Sequence, residues 1–71
     1  MKDRIKKEMK NGKKIKLIFE YPNAKNAKVR RGFVIRIRED SFDFLEDIDG
    51  LVTYYYKYLV EVKKIWNGFF Q

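Results

Sequence analysis

A mostly β fold, with one short N-terminal helix followed by five short and strongly bent strands, is predicted by three observations. Apolar spacing changes from helical to alternating after Gly12, turn residues punctuate the later apolar runs, and 71 residues suffice for a single domain. The alternation and the length together exclude helical bundles and doubly wound sheets.

Between Lys2 and Lys10 the apolar residues are Ile5 and Met9, one narrow stripe of a short helix. Asp3 sits near its start, where a carboxylate favours the dipole, and Asn11-Gly12 supplies a left-handed stop. A helix this short is marginal alone and must dock by its stripe. Ile15, Leu17 and Phe19 then alternate with Lys14, Lys16 and Ile18, which gives a strand with one buried face. Tyr21-Pro22-Asn23 ends it, and residues 24–28 connect to a second strand over Val29 to Arg38. In that strand Phe33, Ile35 and Ile37 fall on one face and Val34, Arg36 and Arg38 on the other, and Gly32 suggests a sharp bend or bulge.

Phe42 and Phe44 define a third strand, closed by the Asp49-Gly50 turn signal. Val52 to Lys57 is the fourth, with Val52, Tyr54 and Tyr56 opposing Thr53, Tyr55 and Lys57. Leu59 to Ile65 is the fifth, so near the fourth that a tight turn or a bent continuous strand is required at Lys57-Tyr58. The whole is the pattern of a small SH3-like barrel. The chain divides into a helix (1–12), a barrel (13–65) and an aromatic tail (66–71), whose Trp66, Phe69 and Phe70 are expected to pack on the barrel or on a neighbouring subunit.

Cys and His are both absent, so disulfides are impossible and the usual zinc ligands and His- or Cys-based catalysis are lost. A core this small supplies only a few kcal/mol, which leaves self-association as the expected supplement. The same composition fits a reducing, cytoplasmic compartment. No apolar run reaches the length of a membrane span, and the Lys-rich start lacks the apolar stretch of a signal peptide.

Lys and Arg number 17 against 10 Asp and Glu, a formal charge of +7, which points to a polyanionic partner. The charge is segregated. Residues 1–38 hold 14 Lys and Arg with 3 Asp and Glu, whereas residues 39–71 hold 3 Lys with 7 Asp and Glu. Glu39, Asp40, Asp43, Glu46, Asp47 and Asp49 read as a solvated strand face plus turn. A calcium loop is excluded by spacing. With Gly50 at the invariant glycine of an EF-hand, the first and last ligand positions would fall on Leu45 and Tyr56.

Single-stranded RNA binding needs cations to follow phosphates and exposed ring faces for unpaired bases. Lys and Arg are plentiful, and Phe42, Tyr54, Tyr55, Tyr56 and Tyr58 stand near strand ends. Tyr54 and Tyr56 read equally as core or interface residues, Phe42 as core or stacking platform, and Lys57 as solvated or functional. An enzyme is not expected. Ser41, Thr53, Asp40 and Glu39 are the only nearby polar set, and no base activates the hydroxyls. Neither a cofactor nor a metal is called for.

Asp40-Ser41-Phe42 and Tyr55-Tyr56-Lys57-Tyr58-Leu59-Val60 resemble two pieces of the Hfq branch of the Sm-like RNA-binding family, Asp-Gln-Phe and Tyr-Lys-His, at matching separation. The resemblance implies a homohexameric ring that binds U-rich single-stranded RNA at a central pore and promotes RNA–RNA interaction, as an RNA chaperone in post-transcriptional regulation. It implies that Phe42 stacks on a base, that Lys57 reaches the base or phosphate, and that Ser41 stands where the family usually has Gln. Tyr58 replaces the family's His. Lys10, Lys13 and Lys14 would correspond to the family's basic rim. A distal, adenine-binding face departs from the pattern, with Glu20 where the family tends to carry Tyr and a longer loop from Tyr21 to Lys28. The alternatives are a monomeric SH3-like barrel on duplex DNA, with Trp66 and Phe69 as minor-groove wedges, and a Tyr-rich protein-binding adaptor.

Overall fold

The computed structural model of the chain describes residues 1–65. The aromatic tail, and with it Trp66 and Phe69, lies outside the described residues. Helix α1 (Lys2–Asn11) is followed by β1 (Ile15–Phe19), β2 (Lys28–Ile37), β3 (Ser41–Glu46), β4 (Gly50–Tyr55), a 3-10 turn (Tyr56–Tyr58) and β5 (Leu59–Lys64). The strands form one antiparallel sheet in the order β4-β3-β2-β1-β5.

The sheet is strongly curled. In a flat sheet β1 and β4, three places apart, would be separated by about 14 Å. Yet the rings of Phe19 on β1 and Tyr54 on β4 stack with centroids 4.5 Å apart. The interior holds Ile15, Leu17, Phe19, Val34, Phe42, Phe44, Leu59 and Val62, with Ile5 of α1 closing one side. Curling leaves β4 and β5 as the sheet's two edges, each paired with one strand among the described residues.

The helix ends as its sequence dictates, on Gly12 in the left-handed conformation (φ 68°), whose N–H donates to the carbonyls of Glu8 and Met9. Its buried stripe differs from expectation. Ile5 is buried, but Met9 is 38% exposed and Glu8 takes the inner position, held by Arg4 at 2.9 Å. That ion pair lets a carboxylate sit where an apolar group was expected.

Strand β2 also departs from a single alternating phase. Phe33 and Ile35 face outward, while Val34 is buried. A register shift between Val34 and Arg36 bulges Ile35 out, so inward positions are even-numbered before it and odd after it, where Ile37 packs on the core. Gly32 lies short of this bulge and serves a different need, since a Cβ there would overlap the Leu45 carbonyl group and lie 3.0 Å from Glu46 Cα. The turn from β3 to β4 uses Gly50 at φ 76°, as the Asp49-Gly50 signal predicts.

The acidic stretch is not uniformly solvated. Asp43 and Glu46 are both buried residues. Asp43 accepts hydrogen bonds from Arg38 and from the Thr53 hydroxyl (2.7 Å), and these hold its carboxyl below the usual carboxylate range. Glu46 is 6% exposed, meets Arg30 at 3.5 Å through Oε1, and leaves Oε2 without a partner. Burial pushes its carboxyl up, opposed by Arg30. The two groups act on stability with opposite sign. The Asp43 contribution is present above its unfolded value and is lost in acid as pH falls through its depressed folded value. Ionised Glu46 instead weakens the fold, so its contribution improves as pH falls from neutral through its raised folded value. Glu46→Gln is therefore expected to flatten the stability profile between neutral pH and the ordinary carboxylate range, read by thermal melts, whereas a profile unchanged in shape would exclude this assignment.

Candidate nucleic-acid interface

Antiparallel pairing of β1 with β5 brings the exit of β1 beside the 3-10 turn that enters β5. The Glu20 N–H donates to the Tyr58 carbonyl at 2.9 Å and fixes that junction. On it, Lys57 Nζ lies 5.1 Å from the centroid of the Tyr58 ring, and the Tyr58 ring meets that of Tyr21 at 4.9 Å with a 43° tilt. Glu20, Tyr21, Pro22, Lys57 and Tyr58 line an open hollow of about 470 Å³. A cation over a ring is weakly attracted to it, and both groups stay wet enough to exchange that contact for a ligand.

The same turn is pinned to the β2–β3 connection. The Tyr56 N–H donates to the Asp40 carbonyl (3.2 Å), the Tyr56 hydroxyl to the Arg38 carbonyl (3.3 Å), and the Arg38 N–H to the Ser41 carbonyl (2.8 Å). Ser41, Phe42, Lys57 and Tyr58 are thereby brought to one end of the sheet, but they are not equally available. Phe42 is 0% exposed and Ser41 4%. Phe42 packs against Tyr56 (centroids 5.3 Å apart), Phe44 and Tyr54. In the single chain Phe42 therefore presents no exposed ring face. Its parity on β3 is that of Phe44, and both fill the interior.

Tyr54 and Tyr56 pack against the core, and burial raises the Tyr56 phenol above its ordinary value. Burial likewise raises that of Tyr21, with Arg30 opposing. The accessible ring faces of this end belong instead to Tyr55, 47% exposed and paired with Ser41, and to Tyr58 and Tyr21, both part-buried. Tyr21 and Pro22 were legible only as a strand terminator. The signal that would have found them is topological, because β1 must end where β5 begins once those strands pair.

Lys10, Lys13 and Lys14 lie elsewhere. Lys2 at the start of α1 reaches Glu39 (3.4 Å), so the helix starts near the β2–β3 turn and carries Lys10 about 12 Å away. Lys14 is paired with Asp47 at 2.7 Å, while Lys13 and Lys14 border a second hollow with Arg31 and Ile65. Among the described residues no group of His, Cys, Asp or Glu side chains could hold a metal ion, and no helix is long and apolar enough to cross a membrane. The chain matches no protein-family model, no curated protein and no solved structure.

Proposed function

We propose that this chain is an Sm-like, Hfq-type protein that binds U-rich single-stranded RNA as a closed homo-oligomeric ring and helps RNA strands pair. The observation that carries the reading is the open hollow in which Lys57 stands over the Tyr58 ring beside Tyr21. Unpaired bases bind where a ring face and a cation are offered together, and each stacked base contributes about 1–3 kcal/mol. A helix followed by a curled five-stranded sheet is the architecture such a barrel needs. Edges β4 and β5 supply unpaired backbone groups through which one copy's β4 can join the next copy's β5. Repetition of that heterologous contact closes a circle, and six copies is the size expected.

In the ring the hollows repeat around a shared axis and the +7 charge of each copy adds to one field. Base contact belongs to Tyr58 and Tyr21, phosphate or base-edge contact to Lys57, and support of the turn to Tyr56, Phe42 and Ser41. The function is cytoplasmic regulation of RNA by holding and concentrating strands, without bond chemistry. Lys57→Ala is expected to weaken oligo-U binding about tenfold or more at fixed salt while leaving the mass of the assembly unchanged. Parent-like affinity in that variant would remove Lys57, and with it the hollow, from the RNA site.

A further inference from the structure

Register places Lys16 of β1 opposite Arg31 of β2 on one side and opposite Lys63 of β5 on the other. Directly opposed residues share a sheet face, so Arg31, Lys16 and Lys63 form a row of three cations across three adjacent strands. The row faces away from the core, because Ile15 and Leu17, flanking Lys16, point inward and are buried. Arg31 and Lys63 are exposed and Lys16 is half-buried. The anions nearby are paired elsewhere or stand beside one member of the row: Glu61 lies 3.7 Å from Lys63, Asp47 is taken by Lys14 and Glu46 meets Arg30, while Asp49 borders the same hollow as Arg31. Among the described residues Lys16 and Arg31 have no ion-pair partner. Lys13 and Lys14 extend the positive surface through the hollow they share with Arg31.

Like charges directly opposed across strands weaken a sheet. This chain nevertheless places three in line on an outer face where neutral polar residues would serve equally well. A row that costs the free protein stability, and in which two of the three cations have no ion-pair partner among the described residues, is complementary to an external polyanion. The row itself holds cations only, so its contacts are to phosphates, and the outward ring nearest to it is Phe33 on β2, 37% exposed.

We infer that the Arg31–Lys16–Lys63 row is a second nucleic-acid surface, one that takes the sugar-phosphate backbone of a single strand without regard to sequence. The row lies about 13 Å along β1 from Glu20 and the hollow, four residues at the rise of a strand. It rests on register and charge alone and does not require the hollow to take a base.

The test compares the parent with K16Q/R31Q/K63Q for binding of oligo-U and oligo-A of equal length over a series of salt concentrations. The variant is expected to lose affinity for both oligonucleotides by the same factor. Its slope of log K against log salt should fall by about 2, three lost phosphate contacts at about 0.7 each. Its melting temperature without RNA should rise, since the opposed charges are gone. The charge-keeping variant K16R/R31K/K63R should bind as the parent does. Unchanged affinity and slope in the glutamine variant overturn the proposal, and so does a loss confined to oligo-U. An equal loss in the charge-keeping variant also overturns it, because shape rather than charge would then be responsible. Failure of the hollow reads differently: Lys57→Ala would leave oligo-U binding intact, whatever the row does.

Discussion

Gly32→Ala is expected to lower the melting temperature by at least about 12 °C. The sign is opposite to the general trend, in which alanine in place of a strand glycine reduces unfolded-state entropy and stabilises when the backbone can accept it. Here the added methyl meets the Leu45 carbonyl group and Glu46 Cα, both backbone, so no side-chain rotation relieves the overlap. Overpacking of this kind costs about 1–3 kcal/mol, and the upper end applies because the strand itself must move. A domain of this size carries about 4–10 kcal/mol in total, and each kcal/mol shifts its melting point by about 4–8 °C. Circular dichroism melts of parent and variant decide the matter. A variant melting within a few degrees of the parent would mean that β2 and β3 are not so closely apposed at this point.

Phe42→Ala is expected to cost about 3–5 kcal/mol, which removes most or all of the stability of a domain at the lower end of the range for this size. The ring is fully buried and packs against Phe44, Tyr54 and Tyr56, so its removal empties the centre of the interior and loosens the 3-10 turn. Because an unfolded variant says nothing of RNA, Phe42→Leu is the informative companion. It keeps an apolar side chain in the core, and oligo-U affinity should stay within about threefold of the parent. If folded Phe42→Leu lost oligo-U binding as completely as Lys57→Ala, Phe42 would touch the base and the ring faces of Tyr58 and Tyr21 would not suffice.

Much of the fold was legible because local signals agreed with one another. Gly12, Pro22 and Asp49-Gly50 stand at or beside the boundaries they predict, and the alternation of Ile15, Leu17 and Phe19 gave the buried face of β1. Legibility failed where tertiary structure interrupts a period. The bulge at Ile35 changes the phase of β2 midway, so Phe33 and Ile35 face outward while Ile37, expected on the same face, packs on the core. Glu8, Asp43 and Glu46 are buried despite their charge, Asp43 through its bonds to Arg38 and Thr53, Glu8 through Arg4, and Glu46 only in part through Arg30. Those partners are invisible until pairing is known. At the candidate site, spacing forces a turn at Lys57-Tyr58, while the roles of these two residues follow from the resemblance to the Hfq branch alone. Tyr21 could not be singled out, since its role depends on β1 meeting β5. The Arg31–Lys16–Lys63 row is likewise a product of register, scattered in sequence over 48 positions.

In the proposed ring, edge pairing of β4 with β5 between copies would join the hollow of one chain to those of its neighbours. The direct measurement is the mass of the purified chain by light scattering at micromolar concentration, with oligo-U present and absent. A single species of about six chain masses, retained when oligo-U is bound, is the predicted result. A species of one chain mass in both conditions would contradict the ring and the RNA site built upon it.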